Sequence, residues 1–351
     1  MKGLPDDLPR AGFAALPTPL QELKKLSALL GPRIFVKRDD LTGLGMGGNK
    51  VRKLDFLVPA LQAEGYDTIV TGAFFQSNWC TAVSAAGRKT GMKIVLVKRA
   101  PPGYAPERLE GNHLLHVLLG SDISTAPPET DLATKEQAVE RLRKEGRKPV
   151  LIGVGGNTPH GVAGYIDAMR ELGQQCESMG LRPDYVVHAS GSGGTQAGSV
   201  IGAKLHLPGT RIVCSSTGSR SGDIGTELVL RLIRETVERF GLGLEVGAPY
   251  IEIHDGYAGG YGYVRPAKME AVRLLAETEG LILDPVYTAS AMACLIDRCR
   301  KGHFKAGDTV VFLNTGGQAG LFPYEAPLGA FLEGRKLPWT VPPWHPETWK
   351  A

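Results

Sequence analysis

The stretch that decides the fold is Tyr185-Val-Val-His-Ala-Ser-Gly-Ser-Gly-Gly-Thr-Gln-Ala-Gly198, an apolar strand followed by a glycine-rich loop and a helix start. Glycines let successive backbone N–H groups turn inward without a Cβ clash, and together these groups form an anion-binding nest. The helix N-terminus adds partial positive charge, and Ser192 and Thr195 add hydroxyl donors. The loop is therefore predicted to bind a phosphate. The alternative is a tight strand-to-helix turn without a ligand.

The spacing of the glycines disfavours two common phosphate ligands. A dinucleotide fingerprint requires Gly-x-Gly-x-x-Gly, but Gln196 occupies the third glycine position, and no carboxylate stands at Cys214–Ser216, where the next strand ends. A nucleoside-triphosphate loop requires Gly-Lys-Ser/Thr, whereas Asn49 and Lys50 follow Gly48. An NAD-dependent oxidoreductase is therefore disfavoured, and a small phosphorylated cofactor remains.

A second glycine cluster, Gly47-Gly48-Asn49-Lys50, places a lysine at the start of a helix. The helix is indicated by apolar residues three and four apart, at Val51, Leu54, Val58 and Leu61. Asn49 is the predicted N-cap. The helix dipole and burial both lower the pKa of an amine at this position, as a Schiff-base nucleophile requires. Most lysines at such turns are solvated, so it is the pairing with a phosphate loop that indicates catalysis.

Short β-branched runs alternate with longer amphipathic stretches along the chain. Strands are predicted at Ile34–Lys37, Thr68–Thr71, Ile94–Lys98, Tyr185–His188, Arg211–Cys214 and Thr309–Leu313. Several are almost entirely apolar, as expected for parallel strands covered by helices on both faces. The pattern predicts an α/β protein with largely parallel sheets. Proline and glycine clusters predict an inserted smaller domain at 54–160 within a larger domain formed by 1–53 and 161–351.

Length and composition limit the classes of function. The 351 residues suffice for two compact lobes, and 42% apolar residues provide an ordinary core. A net charge of +4, without a stripe of alternating basic and aromatic residues, disfavours nucleic-acid binding. Five scattered cysteines, no signal segment at the start and no run of about 18 apolar residues predict a cytoplasmic protein without a membrane span.

Six motifs follow one another along the chain: Lys37-Arg38-Asp39-Asp40, Gly47–Leu54, Gln76-Ser77-Asn78, Gly191–Gly198, Asp284-Pro285-Val286-Tyr287-Thr288 and Thr315-Gly316-Gly317. In these motifs, from about Leu16 to Tyr324, the chain resembles the 1-aminocyclopropane-1-carboxylate (ACC) deaminase and D-cysteine desulfhydrase family of pyridoxal 5′-phosphate (PLP) enzymes. The resemblance implies PLP fold type II, similar to tryptophan synthase β, with two lobes that each hold a twisted, mostly parallel sheet flanked by helices. It also implies a small amino-acid substrate and a homodimer; no metal site is predicted.

The resemblance implies a role for residues in each motif. Lys50 would form the Schiff base with PLP and later carry the α-proton of the substrate, and Asn78 would hold the 3′-oxygen of the ring. The phosphate would be held by Gly191, Ser192, Gly193, Gly194 and Thr195. Ser77 and Asn78 begin a helix whose N–H groups would bind the substrate carboxylate, and Ser77 is also a candidate nucleophile or proton relay. Tyr287 and Tyr261 would face each other across the pocket.

Two positions favour the desulfhydrase branch of the family. The deaminase branch carries a glutamate after the motif tyrosine and a leucine before the late glycine pair, whereas this chain has Thr288 and Thr315. A carboxylate facing the pyridine nitrogen deepens the electron sink that ring opening needs, while two hydroxyls suffice when a β-substituent leaves with the electrons. The expected reaction is β-elimination from a D-cysteine-like or cysteate-like substrate, giving pyruvate and ammonia. An ACC deaminase and a PLP-binding protein with little catalysis are the alternatives.

The segment after Gln76-Ser77-Asn78 departs from the desulfhydrase pattern. That pattern continues with His and then Arg-Gln-Thr, whereas this chain has Trp79, Cys80, Thr81, Ala82 and Val83. An indole brings a large apolar face and one N–H donor where a histidine donates or accepts. Trp79 is therefore predicted to contact the substrate and change its identity, favouring a bulkier or less polar β-substituent. The alternative is that Trp79 only packs between helix and sheet.

Overall fold

The computed structural model describes residues 3–100, 108–218 and 225–343, which form ten strands and eleven helices. The strands are β1 (Leu20–Glu22), β2 (Arg33–Lys37), β3 (Thr68–Thr71), β4 (Lys93–Arg99), β5 (Asp122–Ala126), β6 (Pro149–Leu151), β7 (Tyr185–Ser190), β8 (Arg211–Ser216), β9 (Glu252–His254) and β10 (Thr309–Leu313). The helices are α1 (Lys24–Leu30), α2 (Asn49–Ala63), α3 (Asn78–Thr90), α4 (Gly111–Leu118), α5 (Asp131–Lys144), α6 (Pro159–Ser178), α7 (Gly194–His206), α8 (Thr226–Phe240), α9 (Pro266–Glu279), α10 (Thr288–Arg300) and α11 (Glu325–Leu332).

The larger sheet has six strands in the order β1-β2-β10-β7-β8-β9. Every neighbouring pair is parallel except β1 and β2, which are antiparallel. Val311, in the middle of β10, pairs with Phe35 on one side and with Val186 on the other. Parallel neighbours require crossover connections, and helices on both faces of the sheet provide them.

Side chains of the central strands alternate between two cores, one on each face of the larger sheet. One core packs β-strand residues against α9 and α10, and includes Val36, Val187 and Phe312. The other packs them against α6 and α7, and includes Phe35, Val186 and Val311. Full burial of one such side chain contributes roughly 1.5–3 kcal/mol. Burial on both faces explains why these strands are apolar at successive positions.

The smaller sheet has four parallel strands in the order β5-β4-β3-β6. All four lie between Thr68 and Leu151, within the segment predicted as an inserted domain. The predicted boundary between residues 53 and 54 falls inside α2, a continuous helix that packs against both α3 and α6. The division into 1–53, 54–160 and 161–351 therefore stays a prediction, with α2 shared between the two parts.

All six predicted strands are present, and four others were missed. Three of the missed strands, β1, β6 and β9, have three residues each, too few to show a period. The fourth, β5, is an edge strand that is mostly exposed or half-buried, so its sequence lacks the apolar run of the central strands.

Buried ion pairs anchor α2 to its neighbours. Arg52, in the first turns of α2, donates to Asp39 and to Glu171 of α6, each at 2.9 Å. Lys37, at the end of β2, also donates to Glu171. Although burial opposes it, the two cations lower the pKa of Glu171 to about 2. This network fixes the start of α2, the helix that carries Lys50.

The five cysteines are buried and unpaired. Burial raises the pKa of Cys176 to about 11 and those of Cys294 and Cys299 to about 12, so these thiols stay protonated near neutral pH. In the described ranges, no helix has the length and apolar character needed to cross a membrane.

The carboxyl ends of strands from both sheets converge on one region. Ser190 ends β7 and Leu313 ends β10 in the larger sheet, while Thr71 ends β3 and Arg99 ends β4 in the smaller one. Loops after these strands carry residues of the cavity described below. Ligands of open parallel sheets bind at this edge, because the loops and helix N-termini there are free to differ.

Candidate active site

Lys50 is the second residue of α2, after a turn that only glycines accommodate. Gly47 and Gly48 have φ values of 75° and 99°, and a Cβ at Gly48 would lie 2.8 Å from the carbonyl oxygen of Thr315. Burial lowers the pKa of the Lys50 amine to about 8, and the charge of Asp284 partly opposes this shift. A large fraction of this amine is therefore neutral, and nucleophilic, at mildly alkaline pH.

Asn49 is not the N-cap that the sequence predicted. Gly48 occupies the N-cap position, without a side-chain hydrogen bond, and Asn49 is the first helical residue. Its Nδ2 donates to Oγ1 of Thr195 at 2.9 Å, and its Oδ1 accepts from Nζ of Lys50 at 2.9 Å. Asn49 therefore links the lysine directly to the glycine-rich loop, a contact between residues 146 positions apart.

The glycine-rich loop connects Ser190, the last residue of β7, to Gly194, the first residue of α7. Gly193 has φ of 83°, and its N–H donates to Oγ of Ser190 at 3.3 Å. The first N–H groups of α7 have no acceptor within the helix, as at any helix start. Gly191, Ser192 and Thr195 line a cavity, so the geometry predicted for a phosphate site is present.

A second lysine lies beside this loop. Lys53 is fully buried, and its Nζ donates to the carbonyl oxygen of Gly155 at 2.6 Å and to Oδ1 of Asn157 at 2.9 Å. A Cβ at Gly194 would lie 2.4 Å from this Nζ. Burial and the charge of Lys50 lower the pKa of Lys53. No described carboxylate pairs with Lys53, so a bound anion would complete its environment.

Asn78, the first residue of α3, is oriented by an amide from the neighbouring helix. Nδ2 of Asn112 donates to Oδ1 of Asn78 at 2.8 Å and to the carbonyl oxygen of Gln76 at 3.2 Å. This leaves Nδ2 of Asn78 as the group facing Gly317, where an added Cβ would lie 2.6 Å from it. The amide thus offers a donor, suited to an anionic oxygen, rather than its carbonyl.

Asn112 is in turn held by a buried hydrogen-bond chain. Oγ1 of Thr81 donates to Oδ1 of Asn112 at 2.7 Å and contacts Nε2 of His116 at 2.9 Å. Nε2 also lies 3.1 Å from the carbonyl oxygen of Ser77, which can only accept, so Nε2 carries the proton. Nδ1 then accepts from Nζ of Lys98 at 2.9 Å. Burial and the charge of Lys98 lower the pKa of His116, which keeps the ring neutral.

These groups surround a cavity of about 220 Å³ that adjoins the smaller space beside Asn78 and Thr315. The described lining residues of the 220 Å³ cavity are Lys50, Ala73, Phe74, Ser77, Trp79, Arg99, Val154, Gly155, Asn157, Gly191, Ser192, Thr217, Gly218, Leu228, Tyr261 and Tyr287. The only two basic residues among these are Lys50 and Arg99, and none of them is a carboxylate. A small anionic cofactor with a reactive carbonyl group fits this combination of a low-pKa amine, an anion nest and a buried cation.

Comparison with other proteins identifies the cofactor. The sequence profile of a family described as pyridoxal-phosphate-dependent enzymes matches residues 13–316. The chain belongs to this family. A relative from Pyrococcus abyssi (strain GE5 / Orsay), named "Putative 1-aminocyclopropane-1-carboxylate deaminase", is 38% identical over 321 residues, covering 90% of this chain and 94% of the relative. The chain is therefore a PLP-dependent enzyme of the ACC deaminase and D-cysteine desulfhydrase family.

Solved structures confirm the fold type. A crystal structure described as an ACC deaminase homologue has a TM-score of 0.84 and 36% identity, and the match covers 93% of this chain and 97% of that one. Threonine deaminase isoform 2 from Solanum lycopersicum has a TM-score of 0.61 at 19% identity, covering 87% of this chain and 80% of that one. A second threonine deaminase, from "T.th.", has a TM-score of 0.61 at 20% identity, covering 86% of this chain and 92% of that one. At this identity the threonine deaminases show only that the fold is shared.

The cavity fits PLP at three points. The first-turn N–H groups of α7 and the ammonium of Lys53 are placed to hold a phosphate, and a Cβ at Gly194 would fill that space, 2.3 Å from Oδ1 of Asn157. Nδ2 of Asn78 is placed to hold an anionic ring oxygen. The amine of Lys50 is placed to bond the aldehyde carbon. These are the roles that the sequence motifs predict for Lys50, Asn78 and the loop.

Both tyrosines that the sequence motifs single out line the cavity and contact each other. The hydroxyls of Tyr261 and Tyr287 lie 2.7 Å apart, and the two rings meet edge to face with centroids 5.9 Å apart. Burial raises the pKa of both phenols, so both stay protonated near neutral pH. One hydroxyl must donate to the other, which leaves one phenolic proton directed elsewhere.

Ser77 is the N-cap of α3 and also lines the cavity. Its Oγ accepts from the N–H of Cys80 at 3.4 Å, while its own proton has no described acceptor. The predicted nucleophile or relay is therefore at the cavity wall, next to the free N–H groups of the helix start.

The two threonines predicted to face the ring differ in placement. Thr315 lines the smaller space beside Asn78 and Lys50. Thr288 does not line either space, and its Oγ1 donates to Oδ1 of Asp284 at 2.7 Å and accepts from the N–H of that residue at 2.8 Å. The carboxylate of Asp284 thus engages the Thr288 hydroxyl, and its contact with the pyridine nitrogen stays a prediction.

Asp284 is a buried carboxylate for which the sequence motifs predict no role. Its carboxylate accepts from the N–H groups of Val286, Tyr287 and Thr288 at 2.8–2.9 Å. A Cβ at Gly317 would lie 3.1 Å from it. Burial raises its pKa, against the effect of these hydrogen bonds. Asp284 therefore positions the loop that carries Tyr287 and places negative charge near Lys50.

Trp79 is mainly a core residue, and it also lines the cavity. Its side chain is 2% exposed, and its Nε1–H donates to Oγ1 of Thr71 at 2.9 Å. Its ring belongs to the core between α2, α3 and the smaller sheet, and a Cβ at Gly156 would lie 2.8 Å from it. The indole N–H is already used by Thr71, so a contact of Trp79 with the substrate, which stays a prediction, would be made by the ring.

Proposed function

We propose that the chain is a PLP-dependent β-eliminating lyase that converts a small β-substituted amino acid, D-cysteine-like or cysteate-like, into pyruvate, ammonia and the released substituent. The observation that carries this proposal is the absence of a carboxylate among the described residues lining the two spaces, where Thr315 is one of the lining residues. A ring nitrogen facing no carboxylate is less protonated, which suits loss of a β-substituent better than opening of a carbon ring.

Bound PLP supplies an electron-accepting ring beside the α-carbon of the substrate. Lys50 is proposed to take the α-proton on Nζ, since its depressed pKa makes the neutral amine available. The bond from the β-carbon to its substituent then breaks, and the electron pair leaves with the substituent. The released 2-aminoacrylate adds water and divides into pyruvate and ammonia, which balances the reaction.

The remaining wall residues are proposed to orient the substrate. The N-terminus of α3 at Ser77 and Asn78 would bind the α-carboxylate. The N–H of Ser77 already donates to the carbonyl oxygen of Phe74 at 3.2 Å, so the first N–H groups of the helix itself, at Asn78 and Trp79, would do this. Tyr261 and Tyr287 share one hydrogen bond, and the second phenolic proton of the pair would be donated to the departing substituent. Ser77 Oγ would relay a proton between these groups and the carboxylate end.

The second candidate is the ring-opening deaminase, favoured by the names of the 38% identical relative and of the crystal structure described as an ACC deaminase homologue. The deciding experiment offers the purified holoenzyme ACC, both enantiomers of cysteine and of cysteate, and 3-chloroalanine. β-Elimination gives pyruvate and ammonia from the substituted alanines and nothing from ACC. Formation of 2-oxobutyrate from ACC would replace the proposal with the deaminase. No product from any substrate would favour a PLP-binding protein with little catalysis.

We also propose that the enzyme is a cytoplasmic homodimer. The resemblance of its motifs to this family supports the dimer. Light scattering after size-exclusion chromatography tests the dimer, since a single peak at the mass of one 37.5 kDa chain would contradict it. Cell fractionation tests the location.

A further inference from the structure

Arg99 is a cation of the cavity wall that has no part in the steps above. It is the last residue of β4, lines the 220 Å³ cavity, and keeps 34% of its side chain exposed. The other two cations at the site, Lys50 and Lys53, already have proposed roles. Lys50 would bond the cofactor, and Lys53 faces the proposed phosphate site. Arg99 is thus left for the substrate.

The guanidinium is held by one nitrogen and leaves two others available. Nε donates to Oδ2 of Asp131 at 3.1 Å, and Lys135 donates to the same oxygen at 2.7 Å. Two cations therefore share one carboxylate, which leaves a positive charge in excess. Among the described residues, none accepts from either terminal amino group of Arg99. A guanidinium anchored at Nε presents these two groups side by side, the arrangement that binds an oxyanion at two points.

Aromatic rings connect Arg99 to the reacting end of the cavity. Its Cζ lies 5.5 Å from the ring centroid of Phe74, and that ring stacks on Tyr261 at 4.8 Å. Tyr261 in turn contacts Tyr287, which lines both spaces with Lys50. The guanidinium therefore lies on the tyrosine side of the cavity. No carboxylate is among the described lining residues, so none borders the cavity directly to repel a second negative charge.

We propose that Arg99 selects substrates whose β-substituent is an oxyanion, such as a sulfonate or sulfinate, over those with a neutral substituent. This inference rests on the β-elimination proposed above and narrows its substrate class. The α-carboxylate is assigned to the helix start at Ser77, so the two negative groups of the substrate have separate partners. The departing sulfite or sulfoxylate leaves with its electron pair beside a fixed positive charge, which stabilises the charge that develops on it.

The test compares the holoenzyme with Arg99→Gln and Arg99→Lys on cysteate and on 3-chloroalanine, each in both enantiomers. Loss of a charge pair in a partly closed site costs roughly 30-fold or more, so Arg99→Gln should lower kcat/KM for cysteate by about 100-fold. The value for 3-chloroalanine should change less than about threefold, and Arg99→Lys should restore part of the loss, since it keeps charge without the fork. An equal loss on both substrates would overturn the proposal and indicate α-carboxylate binding or a structural role.

Lys135→Gln is the matched control, because it removes a positive charge from Asp131 without touching the cavity lining. It should leave the ratio of the two kcat/KM values within about threefold of the original, as expected for a charge outside the site. A change in the ratio as large as that of Arg99→Gln would mean that the charge of the cluster, not Arg99 itself, selects the substrate, and would overturn the assignment. Thermal unfolding of each variant shows whether it is folded.

A binding measurement separates this inference from the proposed reaction. Aspartate and alanine differ by one anionic group that does not leave, and their binding changes the visible absorbance of bound PLP. Aspartate should bind about tenfold or more tightly than alanine, and Arg99→Gln should remove that preference. Charge preference without pyruvate formation would keep the inference and reject β-elimination. Pyruvate formation without charge preference would keep the reaction and reject the role of Arg99.

Discussion

The cofactor side of the cavity consists mainly of backbone groups, whereas the substrate side consists of side chains. On the cofactor side, the loop 190–195 offers N–H groups whose directions follow from glycine conformations, and Lys53 is locked by two acceptors. On the proposed substrate side, Arg99, Tyr261 and Tyr287 line the cavity and would act through their end groups. Backbone groups cannot be altered by substitution without moving the chain, but end groups can. The first side therefore fits one cofactor, and the second allows the family to take different substrates.

Removing the single covalent anchor should have the largest effect. Lys50→Ala leaves no other amine that lines both spaces, so the visible absorbance of bound PLP and all turnover should disappear. Absorbance after gel filtration and a pyruvate assay measure the two losses. A Lys50→Ala protein that still yielded a borohydride-reducible bond to PLP would place the anchor elsewhere, with Lys53 the first residue to examine.

Adding one methyl group to the cofactor side should have the next largest effect. In Gly194→Ala, the new Cβ would lie 2.3 Å from Oδ1 of Asn157 and 2.4 Å from Nζ of Lys53. Overpacking of this kind costs about 1–3 kcal/mol, so PLP affinity should fall by about 5- to 150-fold. Gly307→Ala is the control, because nothing lies within 4 Å of its added Cβ. Equal affinities in the two variants would show that the cofactor side tolerates side-chain volume after all.

The pH dependence of PLP attachment tests the electrostatics of the cofactor side. Only the neutral amine of Lys50 attacks, and its pKa is lowered to about 8 by burial. The attachment rate of PLP to apoprotein should therefore fall about tenfold per pH unit below that pKa and level off above it. Stopped-flow absorbance measures the rate. A midpoint near the ordinary lysine value would show that the amine is solvated before the cofactor binds.

Asn112 lies behind the cavity and orients Asn78, which is proposed both to hold the cofactor ring and to begin the helix that binds the substrate carboxylate. Asn112→Ala leaves Oδ1 of Asn78 without its donor and the hydroxyl proton of Thr81 without its acceptor, although the Thr81 oxygen keeps its contact with His116. A buried polar group left without a hydrogen-bond partner costs about 1–3 kcal/mol. Because Asn78 would then no longer be oriented, we expect PLP to dissociate roughly tenfold faster, with a smaller change in KM. Thr81→Ser keeps the hydroxyl and should behave like the parent protein. A drop in thermal stability with unchanged PLP dissociation would assign Asn112 a purely structural role.

Trp79 should have the smallest effect on selectivity. Trp79→Phe removes the donor to Thr71 and part of a buried ring, so stability should fall by about 1–3 kcal/mol. The ratio of kcat/KM for D-cysteine to that for cysteate should stay within about threefold, because the indole N–H does not reach the substrate. A larger change in this ratio would restore Trp79 as a specificity residue and weaken the comparison between the two sides.

The sequence predicted the strand and helices of the cofactor side correctly because these elements are local. A strand, a glycine-rich loop and a helix are encoded by consecutive residues, and Lys50 follows directly from its own glycine turn. The role of Lys53 could also have been predicted, because it lies in the motif Gly47–Leu54, three residues after Lys50. Residues three apart lie on one face of a helix. The same local reasoning misplaced the Asn49 side chain, because its partner Thr195 is 146 residues away.

By itself, then, the sequence determined the α/β fold, which depends on periodicity along the chain, and the family and cofactor, which follow from the resemblance of its motifs. It also predicted Lys50 as the reactive lysine, from backbone conformations within a few residues. Only the tertiary structure decided which side chains meet: Asn112 with Asn78, Trp79 with Thr71, Thr288 with Asp284, and Arg99 with the cavity. The physical reason is that hydrogen bonds and charges act over a few ångströms in space. Which groups come that close is set by the packing of the two sheets, not by distance along the chain.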